Sequence, residues 1–309
     1  MYYSPTFMQI KLRRLKEKYE LKEALVKAKR TKVAKVEISK LIDALCLDCD
    51  VMLHTSMMKI GKMEGGVKFI SEKILDRIDT CKHTLLISAL PYRGSFKGYL
   101  SSSQPVFDVR IAPIAMGAIN EYLAKKPDAV RSIHPTHSVV AIGLRAKEYT
   151  ASHYLDETPF GEHSPYLKIF KNKGKILLLG ATLNNVTANR ALEDLLGSAF
   201  PINVYDKKVY KLKCYDQEGR ELYVSTRCHH PIRCASLDVS VMRKYLEQKN
   251  AIEVYPIGEG EVMLIDAALF ATCYFDMLAH GISIYGKKHK VTLELQEAIK
   301  NAKRTIGIE

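Results

Sequence analysis

The feature that most constrains the fold is an alternation of short apolar runs with segments of helical periodicity, beginning near residue 36. The runs VMLHT at 51–55, HTLLISA at 83–89, SVVAIG at 138–143 and KILLLG at 175–180 are typical of strands. Helical segments separate them, at 36–47, 65–78, 113–126, 164–173 and 184–196. Strands that are apolar on both faces belong to a sheet covered by helices on each side. The pattern predicts an α/β fold with a mostly parallel central sheet flanked by helices.

The pattern changes near residue 205. The sequence KKVYKLKCYDQEGRELYVST predicts a hairpin that turns at DQEG. Helices are expected at 237–249 and 267–281, with a pair of strands around IGEGE between them. We interpret this part as a C-terminal, hairpin-containing substrate region. The expected division of the chain is an appended basic amphipathic helix at 1–35, an α/β domain at 36–290 and a C-terminal helix at 291–309.

The positive charge is concentrated at the start of the chain. Residues 1–40 hold 12 Lys and Arg against 4 Glu, so they carry +8 of the formal charge of +13 and leave +5 for the other 269 residues. A nearly ordinary balance over the domain argues against a charged groove for nucleic acid. We predict no nucleic-acid partner, while the basic helix could pack on its own domain, on a second subunit or on an acidic surface.

Cysteine usage and hydropathy indicate the compartment. The seven cysteines are odd in number and scattered, which is typical of reduced thiols. The first twenty residues have no apolar signal core, and no run approaches the roughly 18 apolar residues of a membrane span. We predict a cytoplasmic protein without a transmembrane segment; association into a homo-oligomer is left open.

Polar residues follow three of the apolar runs. His54, Thr55 and Ser56 end the first, residues 88–93 follow the second, and residues 181–187 follow KILLLG. Ligands of parallel α/β sheets bind at the carboxyl ends of strands. Each segment alone is more typical of an ordinary polar strand end, but their coincidence makes them candidate binding residues.

Two other segments suit an anion. Gly65 and Gly66 open a predicted helix, where backbone N–H groups and the helix dipole attract phosphate oxygens. The segment RSIHPTHS at 131–138 adds a guanidinium, imidazoles and hydroxyls, which form charge-assisted hydrogen bonds with phosphate.

Taken together, these segments resemble the aminoglycoside 3-N-acetyltransferase family. The resemblance covers about residues 40–285 and is carried by HTSMMKIG and EGG at 54–66, RSIHPTHSVVAIG at 131–143, PFGEHSPYLKI at 159–169 and KILLLGATLNNVTANRALE at 175–193. It implies transfer of an acetyl group from acetyl-CoA to an amine of a sugar, in one α/β domain without a metal. The coenzyme candidates that it implies are His54, Ser56, Gly65, Gly66, Arg131, Ser132, His134 and Ser138.

One position departs from the family pattern. Members read TxLHxxE after the LLLG strand, and that histidine is the general base; here the text is TANRALE, with Thr187 and Glu193 in place and Arg190 at the position of the histidine. Arginine cannot accept a proton at neutral pH. We expect His229 or His230, in CHHPIRC, to replace the base, with Glu193 free to pair with Arg190 instead.

The leading interpretation is an acetyl-CoA-dependent N-acetyltransferase. Its expected acceptor is a small-molecule amine, an amino-sugar of surface-glycan or secondary metabolism rather than an aminoglycoside antibiotic. The alternatives are a catalytically idle protein that keeps the coenzyme cleft for binding or assembly, and a tethering protein that uses its basic helix. A zinc site in CLDC at 46–49 or in CHHPIRC is disfavoured, because CLDC continues an apolar helix face and the spacing lacks two matched knuckles.

Overall fold

The computed structural model describes residues 18, 20, 26, 31–102, 105–230, 237–286 and 288–309. The helix predicted over 1–35 therefore lies almost wholly outside the described residues, as does the second half of CHHPIRC. The strands are β1 Lys32–Val33, β2 Val51–Thr55, β3 Lys62–Met63, β4 Thr84–Ser88, β5 Phe107–Asp108, β6 Val130–Arg131, β7 Val139–Gly143, β8 Lys175–Leu179, β9 Tyr205–Tyr215, β10 Glu221–His229, β11 Ile252–Ile257 and β12 Gly260–Asp266. The helices are α1 Lys35–Ala44, α2 Gly66–Ile78, α3 Phe96–Ser101, α4 Ala118–Leu123, α5 Ala146–Thr150, α6 Pro165–Lys171, α7 Asn189–Leu196, α8 Ser240–Gln248, α9 Ala267–Ala279 and α10 Leu293–Ile306.

A seven-stranded sheet with the order β11–β12–β8–β2–β4–β7–β6 forms the centre of the domain. Only its middle strands β8, β2 and β4 are parallel, and the pairs on both sides of them are antiparallel. The prediction of a mostly parallel sheet is therefore wrong, and the sheet is mixed. A strand that is buried on both faces has the same apolar composition in either direction, so the sequence pattern carries no information about direction.

Short connections explain two of the antiparallel pairs. The loop 132–138 joins β6 to β7, and two residues join β11 to β12, whereas a parallel neighbour needs a crossover of about a dozen residues. Gly258 enables the second turn with a φ of +55°, and a Cβ at this position would lie 2.2 Å from the carbonyl oxygen of Ile60. Glycine is the residue that tolerates this geometry.

Two apolar layers cover the two faces of the sheet, as the period of two in a strand requires. Leu53, Leu85 and Leu177 face one layer, which α1, α2 and α4 complete. Met52, on the opposite face of β2, belongs to the other layer, which contains α6, α7, α9 and α10. The predicted C-terminal helix thus packs in the core, with Leu295, Ile299, Ala302 and Ile306 buried.

The hairpin predicted around DQEG is confirmed as β9 and β10, which pair from Tyr215 and Glu221 at the turn. β5 adds a parallel strand to β9 and completes a second, three-stranded sheet. Phe107, Cys214 and Val224, one from each of its strands, form a small buried cluster. In the described part of the chain, no helix has the length and apolar character needed to cross a membrane.

Candidate active site

The carboxyl ends of the three parallel strands meet at one edge of the sheet. The backbone N–H of Ser56, just after β2, donates to the carbonyl oxygen of Leu179 at the end of β8, at 2.8 Å. Asn120 of α4 links β2 to β4, because its amide nitrogen donates to the Ser88 carbonyl at 2.7 Å and its amide oxygen lies 3.3 Å from the Thr55 hydroxyl. Asn120 was not among the residues predicted from the sequence, where its only signal was an amide on a helix face that is otherwise apolar.

The RSIHPTHS segment is fixed to the end of β4. The Ser138 hydroxyl donates to the carbonyl oxygen of Ala89 at 2.6 Å, and the N–H of Ala89 donates to the Ser138 carbonyl at 2.8 Å. The guanidinium of Arg131 donates to the same Ala89 oxygen at 2.7 Å and to the Ser138 hydroxyl at 3.0 Å. The segment is therefore next to one of the three strand ends.

Arg131 also fixes a second loop, the one that contains Ala112 and Pro113. Its guanidinium donates to the carbonyl oxygens of Ala112 and Pro113 and lies over the ring of Phe107, 5.1 Å from the ring centre. Burial lowers the pKa of Arg131 to about 10, which still leaves it a cation at neutral pH. Most of its N–H groups donate to other parts of the protein, so Arg131 holds the wall of the site together. Direct contact between Arg131 and a phosphate stays a prediction.

Ser132 and His134 are both fully buried. His153 lies 2.9 Å from both the Ser132 hydroxyl, through Nδ1, and the carbonyl oxygen of Pro159, through Nε2. A carbonyl can only accept, so Nε2 carries the proton of a neutral imidazole and Nδ1 accepts from Ser132. The ring of His134 stacks on that of His153 at 4.6 Å, and its Nε2 has no hydrogen-bond partner among the described residues.

The remaining coenzyme candidates lie on the β2 side. His54 is buried in β2, its Nε2 has no hydrogen-bond partner among the described residues, and burial lowers its pKa to about 4. Gly65 and Gly66 are exposed at the start of α2, both at positive φ. The ammonium of Lys35 lies 5.4 Å from the ring centre of Phe69 on the first turn of this helix. A cation beside free helix N–H groups suits an anionic ligand.

Arg190 and Glu193 form a buried ion pair on α7. Both carboxylate oxygens of Glu193 lie 3.2 Å from Nη1 of Arg190, and the hydroxyls of Tyr274 and Tyr285 donate to them at 2.9 and 2.8 Å. Burial raises the pKa of Glu193, while Arg190 and the Tyr274 hydroxyl oppose the shift. The pairing expected from the three-residue spacing is present. Thr187 is partly exposed and donates to the Asn185 carbonyl at 3.3 Å.

The two histidines proposed as the replacement base occupy different surroundings. His229 lies between the rings of Phe160 and Tyr205, at 5.3 and 4.6 Å, and its Nε2 is buried without a hydrogen-bond partner in the described structure. Burial lowers the pKa of His229 well below its usual value, and the nearby Arg190 acts in the same direction. His230 is partly exposed, with Nε2 3.9 Å from Asp206. His229 is thus near Arg190 but poorly suited to hold a proton.

Cavities of opposite charge lie in these regions. One of about 740 Å³ has an apolar floor, and the described residues around it include Arg93, Arg110, Lys125, Arg131 and a single carboxylate, Glu121. Another, of about 600 Å³, contains three carboxylates, on Glu157, Glu193 and Asp194, beside Tyr205 and Arg227. A third, of about 620 Å³, adjoins Gly180, Thr182, Glu259 and Glu261 after β8. The first suits an anion, and the second suits a cation.

Comparison with known proteins decides the family. The profile of aminoglycoside 3-N-acetyltransferases matches residues 52–279 of the chain. The chain belongs to the aminoglycoside 3-N-acetyltransferase family. Its members include aminoglycoside N(3)-acetyltransferase IX of Micromonospora chalcea, which is 31% identical over 245 residues, 71% of this chain and 82% of that protein.

Other members of the family show how far the likeness extends. Aminoglycoside N(3)-acetyltransferase III of Serratia marcescens is 28% identical over 180 residues, which are 55% of this chain and 65% of that protein, so the chain spans just under two-thirds of this relative. The structure of AAC-IIIb in a binary complex with CoASH has the same fold, with a TM-score of 0.65 at 21% identity over 82% of this chain and 98% of that chain. In the part of our protein that the structure describes, no group of three or more His, Cys, Asp or Glu side chains is placed to hold a metal ion.

The buried histidines predict acid sensitivity. Burial lowers the pKa of His54 to about 4 and of His137 and His153 to about 3, whereas an unfolded histidine titrates near 6.5. Above pH 6.5 all three are neutral in both states and stability is fully present. Below it only the unfolded chain takes up their protons, so each histidine lowers the free energy of unfolding by about 1.4 kcal/mol per pH unit.

We expect urea unfolding between pH 7.5 and 5 to show this steep loss, and His137→Phe to reduce its slope by about one proton. Phenylalanine keeps the ring contacts that His137 makes with Phe96 and Phe160 but cannot be protonated. His280→Gln, at an exposed position, is the control. An identical slope in wild type and His137→Phe would contradict the burial of a neutral imidazole at this position.

Proposed function

We propose that this protein is an N-acetyltransferase that transfers the acetyl group of acetyl-CoA to an amine of a polycationic amino-sugar. The observation that carries the proposal is the family match over residues 52–279, a range that includes the residues of both the basic and the acidic cavity. The chemistry requires an anionic coenzyme and a free-base amine to meet in one place.

The basic cavity fits the coenzyme. Its apolar lining includes Val109, Ile111 and Pro113, against which an adenine ring can pack, and Arg93 and Lys125 add two cations. These side chains would hold the phosphates, while Arg131 fixes the wall behind them. Bound there, acetyl-CoA supplies the thioester that the amine attacks.

The acidic cavity fits a cationic acceptor. From the sequence we expected a glycan precursor rather than an aminoglycoside antibiotic; the names of the relatives favour the aminoglycoside, and the accessible carboxylates of Glu157 and Asp194 agree with a substrate that carries several ammonium groups. We therefore propose an aminoglycoside-like acceptor. The carboxylates would bind ammonium groups and orient one amine for attack.

A catalytically idle coenzyme-binding protein is the second candidate. The observation in its favour is the Arg190–Glu193 pair, which occupies the position of the family's base with a cation that cannot take a proton. The two candidates share coenzyme binding and differ only in turnover.

The first experiment is calorimetric titration with coenzyme A. Replacing both Arg93 and Lys125 by Ser should weaken binding at least tenfold, since hydrogen bonds to charged groups contribute about 1.5–3 kcal/mol each. Lys244→Ser, an exposed lysine on α8, is the matched control, because α8 packs on the other face of the sheet. Equal affinities of all three proteins would remove the coenzyme from this cavity.

A second experiment measures release of free thiol from acetyl-CoA with gentamicin, glucosamine or UDP-glucosamine as acceptor. We expect the wild type to turn over gentamicin with the highest kcat/KM, because the acidic cavity attracts several ammonium groups and repels a diphosphate. Highest activity with UDP-glucosamine would restore the glycan precursor. Thiol release with none of the three, in a protein that binds coenzyme A, would favour the idle alternative.

A further inference from the structure

Helix α7 carries two adjacent carboxylates that the fold treats differently. The first, on Glu193, is enclosed, with its side chain 1% exposed. Each of its oxygens accepts from Arg190 and from one tyrosine hydroxyl, that of Tyr274 or Tyr285. A carboxylate that accepts four hydrogen bonds from three side chains and is almost fully enclosed cannot take a proton from a substrate.

The second carboxylate, on Asp194, faces the acidic cavity and is partly exposed. The hydroxyl of Tyr205 donates to its Oδ1 at 2.8 Å, and the hydroxyl of Thr158 donates to its Oδ2. Both donors are neutral, and each oxygen keeps a further lone pair. The group is therefore oriented by two hydrogen bonds yet able to accept another from the cavity side.

The other carboxylate of the cavity has a partner of its own. Oε2 of Glu157 lies 2.7 Å from the guanidinium of Arg227, and both side chains are more than a third exposed. The Glu157 carboxylate is therefore already bonded to a cation. Among the described carboxylates of the cavity, Asp194 is the one that combines access with a neutral set of donors.

The electrostatic surroundings of Asp194 agree with this reading. Burial raises its pKa to about 7, the charges of Glu193 and Asp156 act in the same direction, and the hydroxyls of Thr158 and Tyr205 oppose the shift. Several titratable and charged groups surround Asp194. They are Arg190 and Glu193 on α7, Asp156 and Glu157 on the loop between α5 and α6, Tyr205 on β9, Arg227 and His229 on β10, and Tyr285 before α10. A base whose pKa is close to the working pH is the most effective proton acceptor.

We propose that Asp194 accepts the proton of the attacking amine, in place of the imidazole that Arg190 replaces. This inference rests on the proposed acetyl transfer. The amine nitrogen forms a bond to the thioester carbon, and its proton passes to the Asp194 carboxylate. The C–S bond then breaks with its electron pair on sulfur, and the protonated Asp194 returns the proton to that sulfur. The products are the acetamide and free coenzyme A, with Asp194 ionised again.

The test compares Asp194→Asn, Tyr205→Phe and Asp276→Asn in the thiol-release assay with gentamicin from pH 5.5 to 8.5. In wild type, kcat should rise with pH around 7, because only the ionised carboxylate accepts a proton. Asp194→Asn should lower kcat about 100-fold or more and remove this rise, with the KM for acetyl-CoA unchanged. Tyr205→Phe keeps the ring beside His229 but withdraws a hydrogen bond from the carboxylate, so the midpoint should move to higher pH. Asp276→Asn changes a partly buried aspartate outside the cavity and should match wild type.

Each result has a defined meaning. If Asp194→Asn does not fold, Tyr205→Phe and Thr158→Val decide through the midpoint alone, which a purely structural aspartate would leave in place. An Asp194→Asn enzyme with wild-type kcat at every pH, or an unmoved midpoint in both hydroxyl variants, overturns the inference and leaves the proposed function standing. A wild type that releases no thiol with any acceptor overturns the proposed function, and this inference with it.

Discussion

The carbonyl oxygen of Ala89 accepts hydrogen bonds from two side chains of the 131–138 segment, the guanidinium of Arg131 and the hydroxyl of Ser138. These bonds set where that segment lies relative to β4, and through Arg131 they also set the loop that contains Ala112 and Pro113. The basic cavity is the space between these parts. Its shape therefore depends on one partly buried cation that donates mainly to carbonyl oxygens, and losing one of these partners would leave a desolvated polar group.

The second constraint is the placement of charge on α7. Arg190, Tyr274 and Tyr285 stabilise Glu193 inside the protein, while Asp194 faces the cavity with only neutral donors. The Arg190 guanidinium thus gives Glu193 a permanent counter-charge. In the acetyl transfer that we propose, the proton of the amine would therefore pass to a neighbouring group.

Much of the fold could be predicted from the sequence, because its signals are local. The apolar runs of β2, β4, β7 and β8, the hairpin at DQEG and the helix α9 follow from periodicity and turn residues. The strand directions could not be predicted, since apolar residues on both faces read alike either way. Part of the candidate site could be predicted as well, because the three-residue spacing of Arg190 and Glu193 indicated their pairing.

The parts of the site that were missed come from distant segments. His153 stacks on His134, Tyr274 and Tyr285 reach Glu193 from more than 80 positions away, and Tyr205 orients Asp194 from another sheet. No spacing in the sequence connects them. The hydroxyls of Ser132 and Ser138 were expected to face phosphate, but a hydroxyl that faces a ligand and one that bonds to a carbonyl inside the wall have the same sequence signal.

The most direct test of the account is a crystal structure of the protein with coenzyme A. We expect the adenosine and phosphate end in the basic cavity beside Arg93 and Lys125, and the thiol directed along the strand ends toward the acidic cavity that Asp194 lines. Phosphates bound elsewhere, for example in the cavity beside Glu259 and Glu261, would contradict it.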